Sequence, residues 1–396
     1  MSTYDNSAGV EVTVRLPDGI SYHLCSLSTL GALYTHIAQT APSTVELTVR
    51  SQQNDLPTTL QLDLQSSPLL LPKHLKVFYF DEKREGEAKT SIVDMRTSVC
   101  HTFVGDAAAT GFQDQINICG DDLDAEIRIG KQMWILRSGS GYRNLEFTLK
   151  KRNAIKPGKC GNSNSDFSDD LDLDRIRRDL QNYNVGKRAH APARSNDTTR
   201  YIELYIVVDH DLYLRSGLDD TKTLKRVLKI LNYASKLYTQ MNIYLAVVGV
   251  EIWTDQDKFS VKGPVSEVLG KFKDYRRFNI NNHTHNDNAQ LFVADGFTDG
   301  TVGQGALSVC SHTGSAAVTA DHYEDDWIQA ATTMAHELGH NLGLRHDDDI
   351  DPQRCMCPRT DGVDDNKCIM YSTSDSKLFV RQQKLKHLIR VRGSLV

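Results

Sequence analysis

The sequence predicts an α/β fold (α+β), in which a β-rich N-terminal region is followed by a region of alternating strands and helices. In the second region, apolar runs at 201–208 and 243–253 flank a stretch from Leu224 to Met241 whose apolar residues recur at three-and-four spacing. Such spacing is typical of an amphipathic helix. Strand, long helix and strand together imply a right-handed crossover between two parallel strands.

Further elements are predicted on both sides of this unit. After it, we expect a helix around 268–275 and strands at 288–293, 305–309 and 315–320. Before it, short runs of strict apolar and polar alternation bounded by Pro, Gly and Asp predict strands at 10–14, 45–49, 60–64 and 76–80, and the pattern continues from 100 to 149. This first region offers no catalytic constellation.

The stretch HELGHNLGLRHD, residues 336–347, is the strongest chemical signal in the chain. Residues four apart lie on one face of a helix, so His336 and His340 can present two imidazoles to one metal ion, with Glu337 beside them. Gly343 can adopt a left-handed conformation and let the chain swing His346 back as a third ligand. HExxH alone also matches surface helices by chance, but the added glycine, histidine and aspartate at fixed offsets set this stretch apart.

This stretch resembles the signature of the metzincin zinc endopeptidases, in which HExxHxxGxxH is followed by a methionine turn. Cys368-Ile369-Met370 lies where that turn is expected. From 201 to 372 the chain is similar to the adamalysin (reprolysin) branch, which includes ADAM-like and snake-venom-metalloprotease-like proteins. The motifs that carry this similarity are YIEL at 201, GVEIW at 249, DNAQ at 287 and CMC at 355.

The resemblance implies a metzincin catalytic domain, with a mixed, mostly parallel five-stranded sheet and an active-site helix, preceded by a β-rich prodomain. The domains would be a prodomain at 1–155, a linker at 156–200 and a metalloprotease domain at 201–396 that becomes atypical from about 373. An unrelated β domain is the alternative for the first part. The strand at 305–309 is our candidate for the antiparallel edge that binds extended substrates.

For function, the resemblance implies a zinc-dependent endopeptidase that cleaves proteins or peptides. His336, His340 and His346 would bind Zn²⁺, Glu337 would act as general base and acid, and Asp347 would orient the third histidine or close the site. The alternative is a catalytically silent or permanently latent adamalysin-like binding protein.

Cys160, in the sequence PGKCG, resembles the cysteine switch of metalloprotease prodomains, although the lysine stands directly before the cysteine instead of one place earlier. A thiolate over the open zinc position would exclude water and make a latent zymogen, in which the prodomain is a partner through Cys160. An ordinary disulfide or idle thiol is the alternative. The linker also carries a furin-type sequence at Arg175–Arg178 and a second basic pair, Lys187-Arg188, which suggest a furin-like convertase.

The resemblance extends to a structural Ca²⁺ site with Glu203 and Asp287 among its oxygen ligands, for which solvated carboxylates are the alternative. After Tyr371 the chain departs from the family. The segment 377–396 contains no cysteine, so Cys357 and Cys368 are a plausible pair, while Cys310 and Cys355 are free, paired together, or exposed by an altered end.

Composition excludes some partners. The formal net charge of −5 and the pI near 6.3 give no reason to expect nucleic acid. No apolar stretch is long enough to span a bilayer. The family implies secretion, and eight cysteines and sequons at Asn196 and Asn282 agree weakly with it. We see no signal peptide at the N-terminus, so the chain is stripped, incomplete or cytosolic.

Overall fold

The computed structural model describes the following residues, to which every structural statement below refers: 10–51, 59–80, 88–94, 100–105, 114–129, 132–140, 145–151, 158–162, 199–239, 241–321, 327–346 and 369–374.

The first of two sheets is antiparallel throughout and lies within the first 151 residues. Its nine described strands have the order β11-β10-β9-β8-β7-β4-β3-β1-β2. In chain order these are β1 (Glu11–Arg15), β2 (Ser21–His23), β3 (Thr44–Arg50), β4 (Thr59–Ser66), β7 (His101–Val104), β8 (Gln115–Ile118), β9 (Leu123–Ile129), β10 (Gln132–Ser140) and β11 (Leu145–Lys151).

Alternation explains how this sheet is packed. In β3 the side chains of Val45, Leu47 and Val49 are buried and those between them are partly exposed, as a half-buried strand requires. Helix α1 (Leu27–Thr40) packs on this buried face of the sheet through Leu30, Leu33 and Ile37. A disulfide between Cys100 and Cys119 joins the start of β7 to the end of β8.

The second sheet is mixed, and its order is β18-β12-β16-β17-β15-β13-β14-β5-β6. Its strands are β5 (His74–Phe80), β6 (Ala88–Asp94), β12 (Gly158–Cys160), β13 (Arg200–Val208), β14 (Ile243–Ile252), β15 (Asn288–Val293), β16 (Thr301–Gly305), β17 (Ala316–Ala320) and β18 (Thr373–Ser374). The helices of this half are α2 (His210–Arg215), α3 (Asp220–Thr239), α4 (Val265–Phe278) and α5 (Trp327–Asn341).

The predicted crossover is confirmed. Strands β13 and β14 are parallel, and α3 connects them. The apolar positions predicted for this helix face inward: six are buried and Met241, just beyond the helix, is partly buried, the six being Leu224, Val227, Leu228, Leu231, Ala234 and Tyr238. Strands β15 and β17 extend the parallel set, so the predicted α/β class with a mostly parallel sheet is correct.

The edge strand was predicted in the wrong place. The antiparallel neighbour of β17 is β16 at Thr301–Gly305, and residues 306–309 form no strand. Its sequence, TVGQG, has no apolar alternation and contains two glycines, so it carries no strand pattern. These glycines are needed because a Cβ at Gly303 would lie 2.7 Å from Thr333 Cγ2, and one at Gly305 would collide with the carbonyl oxygen of Glu337. The strand therefore lies directly on α5.

The sheet is also longer than the predicted five strands. Strands β5 and β6, from the N-terminal region, extend it beyond β14, while β12 and β18 extend it beyond β16. Among the described residues, no helix has the length and apolar character needed to cross a membrane.

Candidate metal centre and active site

Helix α5 carries the predicted site and is buried along its whole length. After Asn341 the amide of Gly343 donates to the carbonyl of His340 at 2.8 Å, and the amide of Leu344 donates to that of Gly339 at 3.0 Å. Gly343 has φ +85°, where a larger residue would be strained, and no side chain blocks the space beside it. As expected from the sequence, the chain reverses here and returns to the helix.

This reversal brings three imidazoles together. The Nε2 atom of His340 lies 3.0 Å from Nε2 of His336 and 3.1 Å from Nε2 of His346. All three side chains are at most 2% exposed. A tetrahedral ion with bonds of about 2.0–2.1 Å to nitrogen holds its ligands about 3.3 Å apart, so the spacing is close to that of a metal site.

Backbone carbonyls set the orientation of two of these rings. Nδ1 of His336 lies 2.6 Å from the carbonyl oxygen of Ile369, and Nδ1 of His340 lies 2.7 Å from that of Leu344. A carbonyl only accepts, so each Nδ1 carries the proton and each Nε2 presents a lone pair. Burial, followed by the two neighbouring imidazoles, holds the pKa of His340 well below its usual value. Converging neutral imidazoles are a donor set that fits a cation.

Glu337 lies beside the histidines and is fully buried. Burial raises the pKa of its carboxyl group to about 8, against the opposite effect of a hydrogen bond from Cys160. Within the described structure its Oε1 atom makes no hydrogen bond. A buried acceptor of this kind is costly unless a ligand or water uses it.

Cys160 closes the site from the other side. Its Sγ atom lies 3.4 Å from Nε2 of His340 and 3.7 Å from Oε2 of Glu337. With the three histidines it forms a group whose ligand atoms all lie within 4.8 Å of one another. One sulfur and three nitrogens at this spacing make a closed four-donor set of the type that zinc accepts.

The backbone of residues 158–162 holds this cysteine in a cleft. Strand β12 runs parallel to β16 and antiparallel to β18. The amide of Gly161 donates to the carbonyl of Gly303 at 2.8 Å, and Nδ2 of Asn162 donates to that of Gly305 at 2.9 Å. We call this five-residue segment the strap.

Met370 packs beneath the helix, as a methionine turn would. A Cβ at Gly339 would overlap Met370 Sδ and lie 3.1 Å from its Cε. The side chain of Met370 is 4% exposed. The preceding residue, Ile369, supplies the carbonyl that orients His336. This turn therefore supports the metal centre through both packing and a hydrogen bond.

The two predicted calcium ligands lie together, away from the three histidines of the metal centre. Glu203 and Asp287 line one pocket, where Oδ2 of Asp287 accepts from the amide of Glu203 at 2.9 Å. Cys310 is at the same pocket, with its thiol 3.6 Å from Oδ1 of Asp287. Calcium binding there stays a prediction. Several predicted residues lie outside the described part of the chain: Asp347, Cys355, Cys357, Cys368, Arg175–Arg178 and Lys187-Arg188.

Comparison with known proteins identifies the family. A family model described as "Reprolysin (M12B) family zinc metalloprotease" matches residues 200–385. Snake venom metalloproteinase atroxlysin-1 from Bothrops atrox is 37% identical over 149 residues, which cover 37% of this chain and 73% of that protein. The chain belongs to the reprolysin family of zinc metalloproteases. The zinc expected from the sequence is thus the metal of its family, and the three histidines are a group that could bind it.

Two further proteins are similar to this reprolysin chain. Mouse disintegrin and metalloproteinase domain-containing protein 12 is 39% identical over 150 residues, which cover 38% of this chain and 16% of that protein. The crystal structure of metalloproteinase-II from Bacteroides fragilis covers 89% of this chain and 91% of its own, at 11% identity and a TM-score of 0.48.

Sequence reasoning missed several residues that build this reprolysin site. Asn341 donates from Nδ2 to the carbonyl oxygens of Ala306 and Ala316, and its Oδ1 accepts from Asn288 at 2.8 Å, which ties the end of α5 to the sheet. The carbonyl groups of Leu344 and Ile369 orient two of the histidines, but they belong to the backbone, so the residue types at these positions do not predict this role. An asparagine directly after the second histidine was the one available clue.

Proposed function

We propose that this chain is a zinc metalloendopeptidase, made as a latent precursor in which the strap closes the active site. The observation that carries the proposal is the meeting of three imidazole Nε2 atoms, the buried carboxyl group of Glu337 and a cysteine thiol at one point. A structural zinc site is closed by four protein ligands, whereas a catalytic one keeps a position open. The four-donor set therefore fits a catalytic site held shut by one removable ligand.

In the proposed site His336, His340 and His346 hold zinc through Nε2. When bound, the ion supplies Lewis acidity, which lowers the pKa of water toward about 7 and polarises the scissile carbonyl group. Glu337 accepts a proton from the attacking water at a carboxylate oxygen and then donates it to the leaving amine. Its Oε1, which has no hydrogen bond within the described structure, is the atom available for this.

Substrate would replace the strap along β16. In the precursor, the carbonyls of Gly303 and Gly305 accept hydrogen bonds from strap residues. After the strap leaves, the same backbone groups form a sheet edge that an extended peptide can pair with. We therefore propose extended segments of proteins or peptides as substrates, and the region 1–155 as a prodomain.

Release would require a cut in the linker 156–200, and the sequences at Arg175–Arg178 and Lys187-Arg188 make a furin-like convertase our proposed processing enzyme. We also propose an extracellular location. The Cys100–Cys119 disulfide and the venom metalloproteinase relative support it. Structural calcium at Glu203 and Asp287 is a further proposal.

The experiment is to incubate purified protein with furin, measure bound zinc, and assay a library of quenched peptides with and without a chelator. We expect cleavage only after processing, and expect a chelator to abolish it. The Cys160→Ser variant should lose zinc to a chelator faster than the uncut parent, because one of four donors is removed. Absence of chelator-sensitive cleavage after complete processing would favour the alternative, a catalytically silent binding protein.

A further inference from the structure

The protease half of the molecule has a second contact with the N-terminal region, far from the strap in the sheet. In the five-strand core β16 lies at one end and β14 at the other, with β17, β15 and β13 between them. The strap pairs with β16, whereas β5 pairs with β14. The two contacts are therefore on opposite edges.

The contact at β14 is a continuous extension of the sheet. Strand β5 runs parallel to β14, with Val77 opposite Val250. A separate bridge joins Leu70 to Ala246: the amide of Leu70 donates to Leu245 at 2.9 Å, and the amide of Val247 donates to Leu70 at 3.0 Å. Backbone pairing of this kind depends on chain shape more than on side-chain identity.

Apolar side chains from the N-terminal region also complete the core of the protease half. Leu75 and Val77 are fully buried and Leu69 is 8% exposed. All three belong to the hydrophobic cluster that contains the buried faces of α3 and α5. Removing them would expose apolar surface on the sheet and on α3.

Ion pairs fix the same contact on α3. Lys225 Nζ lies 2.7 Å from Oδ1 of Asp121, and Lys229 Nζ lies 2.8 Å from Oδ1 of Asp124. Both lysine side chains are only 15% exposed, and that of Asp124 is 16% exposed. In addition, Nε2 of the buried Gln115 donates to the carbonyl of Lys229 at 3.4 Å. The turn between β8 and β9 and the start of β9 thus place Asp121 and Asp124 against successive turns of the helix.

We propose that the edge of β14 and the lysine face of α3 form a docking surface for residues 1–155 that works independently of the active-site cleft. Because of it, cutting the linker leaves the N-terminal region bound as a separate polypeptide. Activation then has two steps, a cut and a dissociation. This inference rests on the proposed function only in assuming that the linker is cut.

The test uses the full chain with a recognition site for a sequence-specific protease inserted between residues 151 and 158, so that the strap stays with the protease half and only the β14 and α3 surface can hold the N-terminal fragment. The background carries Cys160→Ser and Glu337→Ala, so that neither the thiol nor self-cleavage influences the result. After complete cutting, size-exclusion chromatography and a dissociation time course measure retention of the N-terminal fragment. We expect the fragments to co-elute at 0.15 M NaCl.

Charge variants test the surface itself. Lys225→Glu with Lys229→Glu should speed dissociation by at least about 10-fold, since each change places two carboxylates opposite each other, at the exposed Asp121 and at Asp124, which is only 16% exposed. Adding Asp121→Lys and Asp124→Lys should restore retention, and Lys236→Glu, further along α3, serves as the matched control. Two results would overturn the proposal. One is immediate separation of the fragments in the background without the lysine changes, and the other is an equal dissociation rate with and without Lys225→Glu and Lys229→Glu. Because the readout is binding in an inactivated background, it is independent of whether the chain proves to be a peptidase.

Discussion

At the scale of single residues, the site depends on how each imidazole ring is oriented. The proton on Nδ1 of His336 and His340 is directed at a backbone carbonyl, which turns Nε2 of each ring toward the centre of the histidine group. The histidines, Glu337 and the glycine were predictable from sequence because their spacing encodes one face of a helix. The carbonyl partners were not, because every residue has one and only the folded chain selects them.

Glu337→Gln should abolish catalysis while leaving the metal centre assembled. Glutamine keeps the volume of the side chain but cannot accept the proton from water, so we expect peptide cleavage by the processed enzyme to fall by about 10²- to 10⁴-fold. Bound zinc, measured by atomic absorption, should stay equal to the wild type. Cleavage at the wild-type rate would contradict the role of Glu337.

Gly339→Ala should destabilise the protein, because its methyl group would overlap Met370 Sδ. We expect a loss of about 1–3 kcal/mol in the free energy of unfolding, measured by urea titration, as is usual for an overpacked core. Gly270→Ala is the matched control. Gly270 lies in α4 with nothing near its Cβ position, so alanine there should be neutral or stabilise by up to about 1 kcal/mol. Equal effects at both positions would refute the packing argument.

At the scale of elements, α2 shows how a buried carboxylate connects a helix to the sheet. Asp209 is 1% exposed; its Oδ1 accepts from the amide of Leu212 at 2.8 Å, and its Oδ2 accepts from the amide of Ala294 at 3.0 Å. The first bond caps α2 and the second holds the residue that follows β15. One side chain therefore positions two elements.

Asp209 should also make stability depend on pH. Burial raises its pKa to about 7, so the folded protein holds the proton more tightly than the unfolded chain, whose pKa is about 3.9. Its contribution to stability is fully present below about pH 4 and is lost as pH rises through 7. The advantage of the wild type over Asp209→Asn, measured by urea unfolding, should shrink by about 3 kcal/mol between pH 5 and pH 8. A difference that does not vary with pH would argue against this titration.

Elements with strong periodicity were predictable and those governed by close contact were not. Helix α3 and strands β13, β14, β15 and β17 follow from apolar spacing, because burial on one or both faces dictates the residue types. Strand β16 was missed because its position against α5 demands glycine, whose absence of a side chain gives no pattern. The strand that we propose to bind substrate was thus the hardest to predict.

At the scale of the whole molecule, the sequence pattern changes near residue 155, but one hydrophobic core contains residues from both sides of that boundary. A second core lies between the antiparallel sheet and α1, with all its buried members within residues 12–149, whereas the core beneath α5 includes Leu69, Leu75 and Val77. The sequence predicted β5 as a strand but could not say which sheet it joins, since alternation specifies a buried face and not a partner. Pairing across such a distance along the chain leaves no local signal.

Replacing both Cys100 and Cys119 by serine should weaken the N-terminal sheet. The disulfide joins residues 19 apart, and closing a loop of that size in the unfolded chain stabilises by about 3 kcal/mol. We expect a lower Tm for the N-terminal region by calorimetry, and no change in Cys25→Ser, which alters an exposed thiol outside the disulfide. An unchanged Tm in the double variant would show that the bond does not contribute.

The pairing of β5 with β14 has a consequence for the order of synthesis. Val77 leaves the ribosome well before Val250, its partner, and domains near the N-terminus generally fold first. The covering strand is therefore already present when the protease sheet forms, and the growing sheet does not expose a bare parallel edge to other nascent chains. Since such edges promote aggregation, the chain is protected during the slowest part of its folding.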